Sequence, residues 1–152
     1  MKEEAARPAV PGPPTIEGET KMKYGYTIIY VSSVEETLKF YKRAFGFEIK
    51  FIHESKGYGE LATGETTLSF ASHEMGNMNL GGKYLKTSSK DMPFGMELSF
   101  ITDDVQAAFD KAVATGAEPM KEPEKKPWGQ TVAYVRAIDG SIIEIGTPIA
   151  GE

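Results

Sequence analysis

Residues 30–47, YVSSVEETLKFYKRAFGF, carry the pattern that decides the fold. Apolar residues follow Ser33 at helical spacing, and Glu36 stands three residues after that serine, which is the arrangement of a capping box. Gly46 stands where a helix commonly ends in a left-handed residue. Residues 24–31 are rich in aromatic and β-branched side chains, which favours a strand. The stretch therefore predicts a strand that leads into one amphipathic helix.

The same order recurs later in the chain. Residues 102–117, TDDVQAAFDKAVATGA, again place a cap before an apolar stripe and a glycine after it. This internal repeat predicts two copies of a βαβββ unit, and it pairs Tyr58 with Trp128. The further strand candidates are 47–54, 58–62, 66–72, 96–102, 130–136 and 141–147, with 118–122 as a poor candidate.

Composition restricts the classes of function. The 152 residues carry a formal net charge of −5 and no cysteine, which excludes disulfides, thiolate metal sites and cysteine nucleophiles. The lysines are scattered and form no basic face, so we expect no nucleic-acid partner. No apolar run reaches the length of a membrane span and no signal peptide is evident, so we expect no membrane partner and a cytoplasmic location.

The chain divides by composition into a tail and one domain. Residues 1–21 contain four of the nine prolines and no hydrophobic periodicity, which predicts a flexible tail. Residues 22–150 form the domain, with module one at 22–74, a linker or lid at 75–95 and module two at 96–149. The stretch from Glu74 to Gly95 is polar and glycine-containing, which is typical of a loop. It either joins the modules only, or covers a cavity as a lid.

These motifs resemble the vicinal oxygen chelate superfamily, which includes glyoxalase I, bleomycin-resistance proteins and extradiol dioxygenases. Residues 30–41 with Phe45-Gly46-Phe47 are similar to the start of its first module, and residues 102–109 to the start of its second. Residues 139–145 resemble its closing turn and glutamate strand, although Ala137-Ile138 stands where members usually have Asp-Pro. The resemblance implies an α+β fold in which two tandem βαβββ modules form an incompletely closed eight-stranded barrel around a central cavity.

Strand alternation on that fold sorts side chains between core and cavity. Leu68, Phe70, Ile143 and Ile145 are expected in the core, and Glu97 and Glu144 on the cavity side. Trp128, outside these strands, is a candidate wall of the cavity. The expected ligand-binding residues are Tyr26, Ile28, Tyr30, Ser69, Ser99 and Trp128.

Catalytic members of the superfamily hold a divalent metal with up to four side chains, mostly histidine and glutamate. The resemblance places Tyr26, Ser69, Glu97 and Glu144 at those positions, and neither His53 nor His73 falls on them. A site of carboxylates and hydroxyls suits magnesium or manganese better than nickel, zinc or iron. We therefore expect either no cofactor or one divalent metal (Mn, Ni, Zn or Mg) on Glu97 and Glu144, with Glu144 as the candidate catalytic residue.

Three functions remain open at this point. The first is a small-molecule-binding protein of the bleomycin-resistance type, without a full catalytic metal site, whose ligand is aromatic or cationic. The second is a metal-dependent lyase or isomerase of the lactoylglutathione-lyase type. The third is an interaction module with a vestigial cavity. The resemblance also implies a homodimer.

Overall fold

Two copies of the βαβββ unit make up the structure, a computed structural model that describes residues 21–149. The predicted tail, residues 1–21, lies outside the described residues except for Lys21. The elements are β1 (Tyr26–Val31), α1 (Val34–Phe45), β2 (Glu48–Ile52), β3 (Tyr58–Ala62), β4 (Thr67–Ser72), α2 (His73–Leu80), β5 (Glu97–Ile101), α3 (Val105–Ala114), β6 (Glu118–Lys125), β7 (Thr131–Arg136) and β8 (Ile142–Gly146). No helix within residues 21–149 is long and apolar enough to cross a membrane.

The two long helices begin and end where the sequence predicts. The Ser33 hydroxyl accepts a hydrogen bond from the Glu36 N–H at 3.2 Å, and the Asp104 carboxylate accepts one from the Ala107 N–H at 3.1 Å. Gly46 adopts the left-handed conformation with φ of 83° and donates its N–H to the Lys42 carbonyl. These caps satisfy backbone groups that the helix itself leaves unpaired.

Each module contributes one four-stranded sheet. The strand orders are β1-β4-β3-β2 and β5-β8-β7-β6, and β1 and β5 each run parallel to their neighbour. Helices α1 and α3 pack together, and the core between helices and sheets includes Leu68, Phe70, Ile143 and Ile145, as alternation predicts. The two sheets form no closed barrel, which agrees with the incompletely closed arrangement.

Two sequence interpretations are wrong, and the poor strand candidate is confirmed. The stretch after β4 was expected to be a loop, but its first part is α2, capped by the Ser72 hydroxyl and with Gly76 as its one buried residue. A helix that buries a single glycine leaves no apolar stripe to recognise. The segment 118–125 is a strand despite two prolines, because β6 lies at the sheet edge, where proline is tolerated. The predicted correspondence of Tyr58 with Trp128 is the second wrong interpretation. Tyr58 lies opposite Ala71 in module one, and the equivalent pair in module two is Val132 opposite Gly146. Tyr58 therefore corresponds to Val132, whereas Trp128 precedes β7.

A buried network ties the last β-hairpin of module two to α1. The Tyr41 hydroxyl donates to Asp139 Oδ1 at 2.9 Å, and the Ser141 hydroxyl donates to Asp139 Oδ2 at 2.6 Å. Tyr41 and Asp139 are both buried. Burial raises the pKa of Asp139 and, more strongly, that of Tyr41. The network therefore joins the two modules through a carboxyl group whose hydrogen bonds are shielded from water.

The linker segment, defined here as residues 81–96, is fixed to module two by Arg136. This buried guanidinium donates to the carbonyls of Ser88 at 3.0 Å, Ser89 at 3.2 Å and Gly140 at 3.0 Å. The Thr87 hydroxyl also donates to the Asp139 carbonyl at 2.9 Å. The middle of the linker segment is thereby held against the turn between β7 and β8.

Candidate functional site

An apolar cavity of about 210 Å³ lies between β1, the start of β5 and the linker segment. Strand β1 contributes Ile28 and Tyr30, and β5 contributes Glu97 at its first position. The remaining large side chains come from the end of α2 and from the linker segment: Leu80, Tyr84, Leu85, Phe94 and Met96. A mainly apolar cavity with few polar groups is the usual form of a small-molecule site.

One wall of the cavity is aromatic. The Tyr30 and Tyr84 rings stack with centroids 5.1 Å apart and planes 25° from parallel. The Asn79 amide donates to the Tyr30 hydroxyl at 3.2 Å, which holds that ring in place. The wall therefore offers flat aromatic surface to a planar or cationic group.

Among the residues that the structure describes, Glu97 is the one charged side chain in the wall of this cavity. Burial raises its pKa above the usual range, and the nearby charge of Glu144 raises it further. Two carboxylates in one site cannot both ionise freely, because like charges repel. A neighbouring positive charge or hydrogen-bond donor would therefore stabilise the ionised form of Glu97.

The second carboxylate is held by its own partners. Glu144 accepts hydrogen bonds from the Ser99 hydroxyl at 2.5 Å and from the Tyr134 hydroxyl at 3.0 Å. Burial and the adjacent Glu144 raise the pKa of Tyr134 to about 12, so this hydroxyl remains a donor at neutral pH. Both oxygens of Glu144 accept hydrogen bonds from neutral hydroxyls. These donors do not neutralise the negative charge of Glu144, which therefore still repels the Glu97 carboxylate.

The residues predicted from the sequence separate into three sets. Ile28, Tyr30 and Glu97 line the cavity. Ser99 lines a neighbouring depression of about 510 Å³, which it shares with Glu97. The others lie outside the cavity wall: Tyr26, Ser69, Trp128 and Glu144.

Two of these side chains are engaged elsewhere. Ser69 is fully buried, and its hydroxyl donates to the Thr27 carbonyl at 2.8 Å. Trp128 is 61% exposed, and its indole N–H donates to the Gln130 side chain at 2.9 Å. Alternation thus identifies the face of a strand but not the depth of a side chain on it.

Sequence reasoning missed the linker residues and Tyr134. The sequence predicts a polar loop from Glu74 to Gly95, yet Tyr84, Leu85 and Phe94 within it supply cavity wall. Their spacing follows no helix or strand period, so no periodic signal marks them. Tyr134 was detectable in principle, because it faces Glu144 directly in the β7–β8 register.

Module one carries a buried carboxylate that sequence reasoning also missed. Glu60 is buried, and it accepts a hydrogen bond from the Tyr58 hydroxyl at 2.8 Å. The Lys50 ammonium lies 3.7 Å from its other oxygen. The charge of Glu60 is thus paired within its own sheet, which indicates a structural role.

The four positions that the resemblance assigns to a metal offer two carboxylates and two hydroxyls. The Ser69 hydroxyl is engaged with a backbone carbonyl, and both oxygens of Glu144 already accept hydrogen bonds. Within residues 21–149, no three His, Cys, Asp or Glu side chains are grouped to hold a metal. Zinc and nickel favour imidazole or thiolate donors, which these positions lack.

We predict that Glu144→Gln lowers the pKa of Glu97 towards, but not to, its usual range. The variant removes the like charge, whereas the burial of Glu97, which is the larger cause of the shift, remains. Carboxyl-carbon NMR titration of wild type and variant measures the change. An unchanged Glu97 pKa would contradict the electrostatic coupling of the two groups.

The sequence of this chain is similar to a known protein family and to a bacterial protein. The glyoxalase-like domain model matches residues 24–150. An uncharacterised protein of Bacillus subtilis (strain 168), YraH, is 25% identical over 118 residues, which cover 77% of this chain and 91% of that protein.

Solved structures share the fold. A glyoxalase-related enzyme from Fulvimarina pelagi superposes with a TM-score of 0.72 at 18% identity, covering 84% of this chain and 89% of that one. A glyoxalase/bleomycin resistance protein/dioxygenase family enzyme from Burkholderia phytofirmans PsJN superposes with a TM-score of 0.70 at 23% identity, covering 83% of this chain and 98% of that one. Because the family model spans most of the sequence, this chain belongs to the glyoxalase-like domain family of the vicinal oxygen chelate superfamily.

Proposed function

We propose that this protein binds a small, mainly apolar molecule with an aromatic part and a cationic end, and that it does so without a full catalytic metal site. The observation that carries the proposal is the single carboxylate, Glu97, in an otherwise apolar cavity of about 210 Å³. A cation placed beside Glu97 offsets the burial and, to a lesser extent, the repulsion from Glu144 that together raise the pKa of this carboxyl.

The cavity wall supports the same ligand chemistry. The stacked rings of Tyr30 and Tyr84 present an aromatic face next to the carboxylate. A cation near an aromatic ring gains from the quadrupole of the ring, and the apolar part of the ligand gains from burial. The size of the cavity also argues against a vestigial site filled by its own side chains.

The test compares two probes with the same carbon skeleton, the cationic 4-phenylbutylamine and the neutral 4-phenyl-1-butanol, by isothermal titration calorimetry. We expect wild-type protein to bind the amine about fivefold more tightly than the alcohol at neutral pH, which is the size of a partly exposed ion pair. Glu97→Gln should abolish that preference and leave alcohol binding unchanged. The matched control, Glu118→Gln on the edge strand β6, should keep it.

The preference also has a predicted pH dependence. The raised pKa of Glu97 means that this carboxylate is protonated at a higher pH than an ordinary carboxylate. The preference for the amine should therefore decline as pH falls from neutral through that raised pKa. Failure of both probes to bind wild type, or an amine preference that survives in Glu97→Gln, would contradict the proposal.

The metal-dependent alternative has its own measurement. Calorimetric titration of chelator-treated protein with Mn²⁺, Ni²⁺, Zn²⁺ or Mg²⁺ should give no micromolar binding, because the four positions lack imidazole donors and the Ser69 and Glu144 side chains already form hydrogen bonds. Micromolar binding that disappears in Glu144→Gln would instead favour a lyase or isomerase that uses Glu97 and Glu144.

A further inference from the structure

Tyr84 of the linker segment occupies a slot formed by Tyr30, His73 and Gly76. Its ring stacks on Tyr30 at 5.1 Å and on His73 at 5.9 Å, with interplanar angles of 25° and 27°. The Tyr84 hydroxyl and His73 Nδ1 share a hydrogen bond of 2.9 Å. The slot thus holds a planar ring by near-parallel contacts with Tyr30 and His73 and by one hydrogen bond.

The slot depends on the absence of a side chain at Gly76. A Cβ atom there would overlap the Tyr84 hydroxyl and lie 2.9 Å from two carbons of its ring. Gly76 lies inside α2, where glycine is disfavoured relative to alanine by helix propensity. Glycine at this position therefore makes room for the Tyr84 ring, although it does not favour the helix.

The geometry differs from that of the core aromatic residues. The rings of Phe40, Tyr41, Phe45 and Phe100 meet one another tilted or edge-on. Both contacts of Tyr84 are instead nearly parallel. Nearly parallel contacts of this kind are suited to any planar ring, whether or not it belongs to the chain.

Tyr84 follows a turn that contains two glycines in the left-handed conformation. Gly81 and Gly82, which precede it, both have positive φ, at 64° and 75°. Tyr30 and Tyr84 also line the 210 Å³ cavity, so the slot adjoins it. Departure of the Tyr84 ring would join slot and cavity into one longer site.

We propose that this slot is a binding position for the planar, phenol-type ring of a ligand, and that Tyr84 occupies it as an internal substitute that such a ring displaces. The ligand ring stacks on Tyr30, and its hydroxyl bonds to His73 Nδ1. The inference rests on the proposed function for the link to the cavity, while the slot itself is defined by Tyr30, His73 and Gly76.

The test uses p-cresol, which reproduces the tyrosine side chain, and the full-length variant Tyr84→Ala. An emptied apolar space of this kind takes up small aromatic molecules. We expect Tyr84→Ala to bind p-cresol about tenfold more tightly than wild type does, with a shift of the His73 ring signals in NMR spectra. Adding Gly76→Ala to this variant should abolish the binding, because the new methyl group fills the slot. Tyr24→Ala, which removes an exposed tyrosine outside the slot, is the matched control and should behave as wild type.

Three results would overturn the proposal: no p-cresol binding by folded Tyr84→Ala, binding that persists with Gly76→Ala, or equal binding by Tyr24→Ala. If Tyr84→Ala does not fold, wild-type protein at saturating p-cresol decides, since displacement must abolish the nuclear Overhauser contacts between the Tyr84 and Tyr30 rings. Their persistence would overturn the proposal. Binding of p-cresol in the slot, together with no binding of 4-phenylbutylamine by wild type, would support the slot and contradict the cavity function.

Discussion

Replacing Gly140 with alanine is expected to lower the free energy of unfolding by about 2–5 kcal/mol, the sum of backbone strain and overpacking. Gly140 has φ of 99°, a conformation that side chains rarely adopt. A Cβ atom there would also lie 2.6 Å from the Ser88 carbonyl carbon and 2.7 Å from its oxygen. Ser88 cannot retreat freely, because Arg136 holds its carbonyl.

Gly129→Ala is the matched control for this prediction. Gly129 has φ of 98°, and nothing lies within 4 Å of a Cβ atom built on it. It therefore incurs the backbone strain alone, about 1–2 kcal/mol. Urea denaturation measures the free energy of unfolding of both variants, and the difference between their losses is the contribution of the clash with Ser88. Equal losses would contradict the predicted clash.

Asp139→Ala is expected to lower the free energy of unfolding by about 3 kcal/mol, because it leaves a fully buried hydroxyl without its acceptor. The Tyr41 hydroxyl donates to one oxygen of Asp139 and the Ser141 hydroxyl to the other. Water cannot replace the lost carboxyl beside Tyr41, which is wholly buried. Denaturant unfolding followed by circular dichroism measures the loss.

Tyr41→Phe supplies the comparison for this network. It removes the donor and keeps the ring in the core, so the loss should be smaller, about 1–2 kcal/mol. The double variant should cost less than the sum of the two single losses, because both remove the same hydrogen bond. Strict additivity would contradict a direct contribution of the Tyr41–Asp139 bond.

The elements with a regular repeat were predictable. The capping box at Ser33 and the apolar stripe after it fixed the position of α1, and the internal repeat placed its counterpart α3. Alternation placed Ser99 and Glu144 on one face, where they now form a hydrogen bond. Short-range patterns and the two-residue period of a strand carry this information.

The cavity was only half predictable, because its second half has no period. Ile28 and Tyr30 lie on a strand, and the sequence identified them. Tyr84 and Phe94 lie in the linker segment, whose path is set by Arg136 and by contacts with α2 rather than by local propensity. Such long-range hydrogen bonds to backbone carbonyls leave no signature in a single sequence.

The attachment of the linker segment has an evolutionary consequence. The residues that close the cavity belong to the segment that joins the modules, so a change that enlarges the cavity also removes contacts that hold the fold together. Truncation of Tyr84, for example, would enlarge the cavity and remove the ring contacts with Tyr30 and His73. Under the proposed function, new ligand specificities should therefore arise first in backgrounds that already carry stabilising substitutions elsewhere, such as on the solvent-exposed faces of α1 and α3.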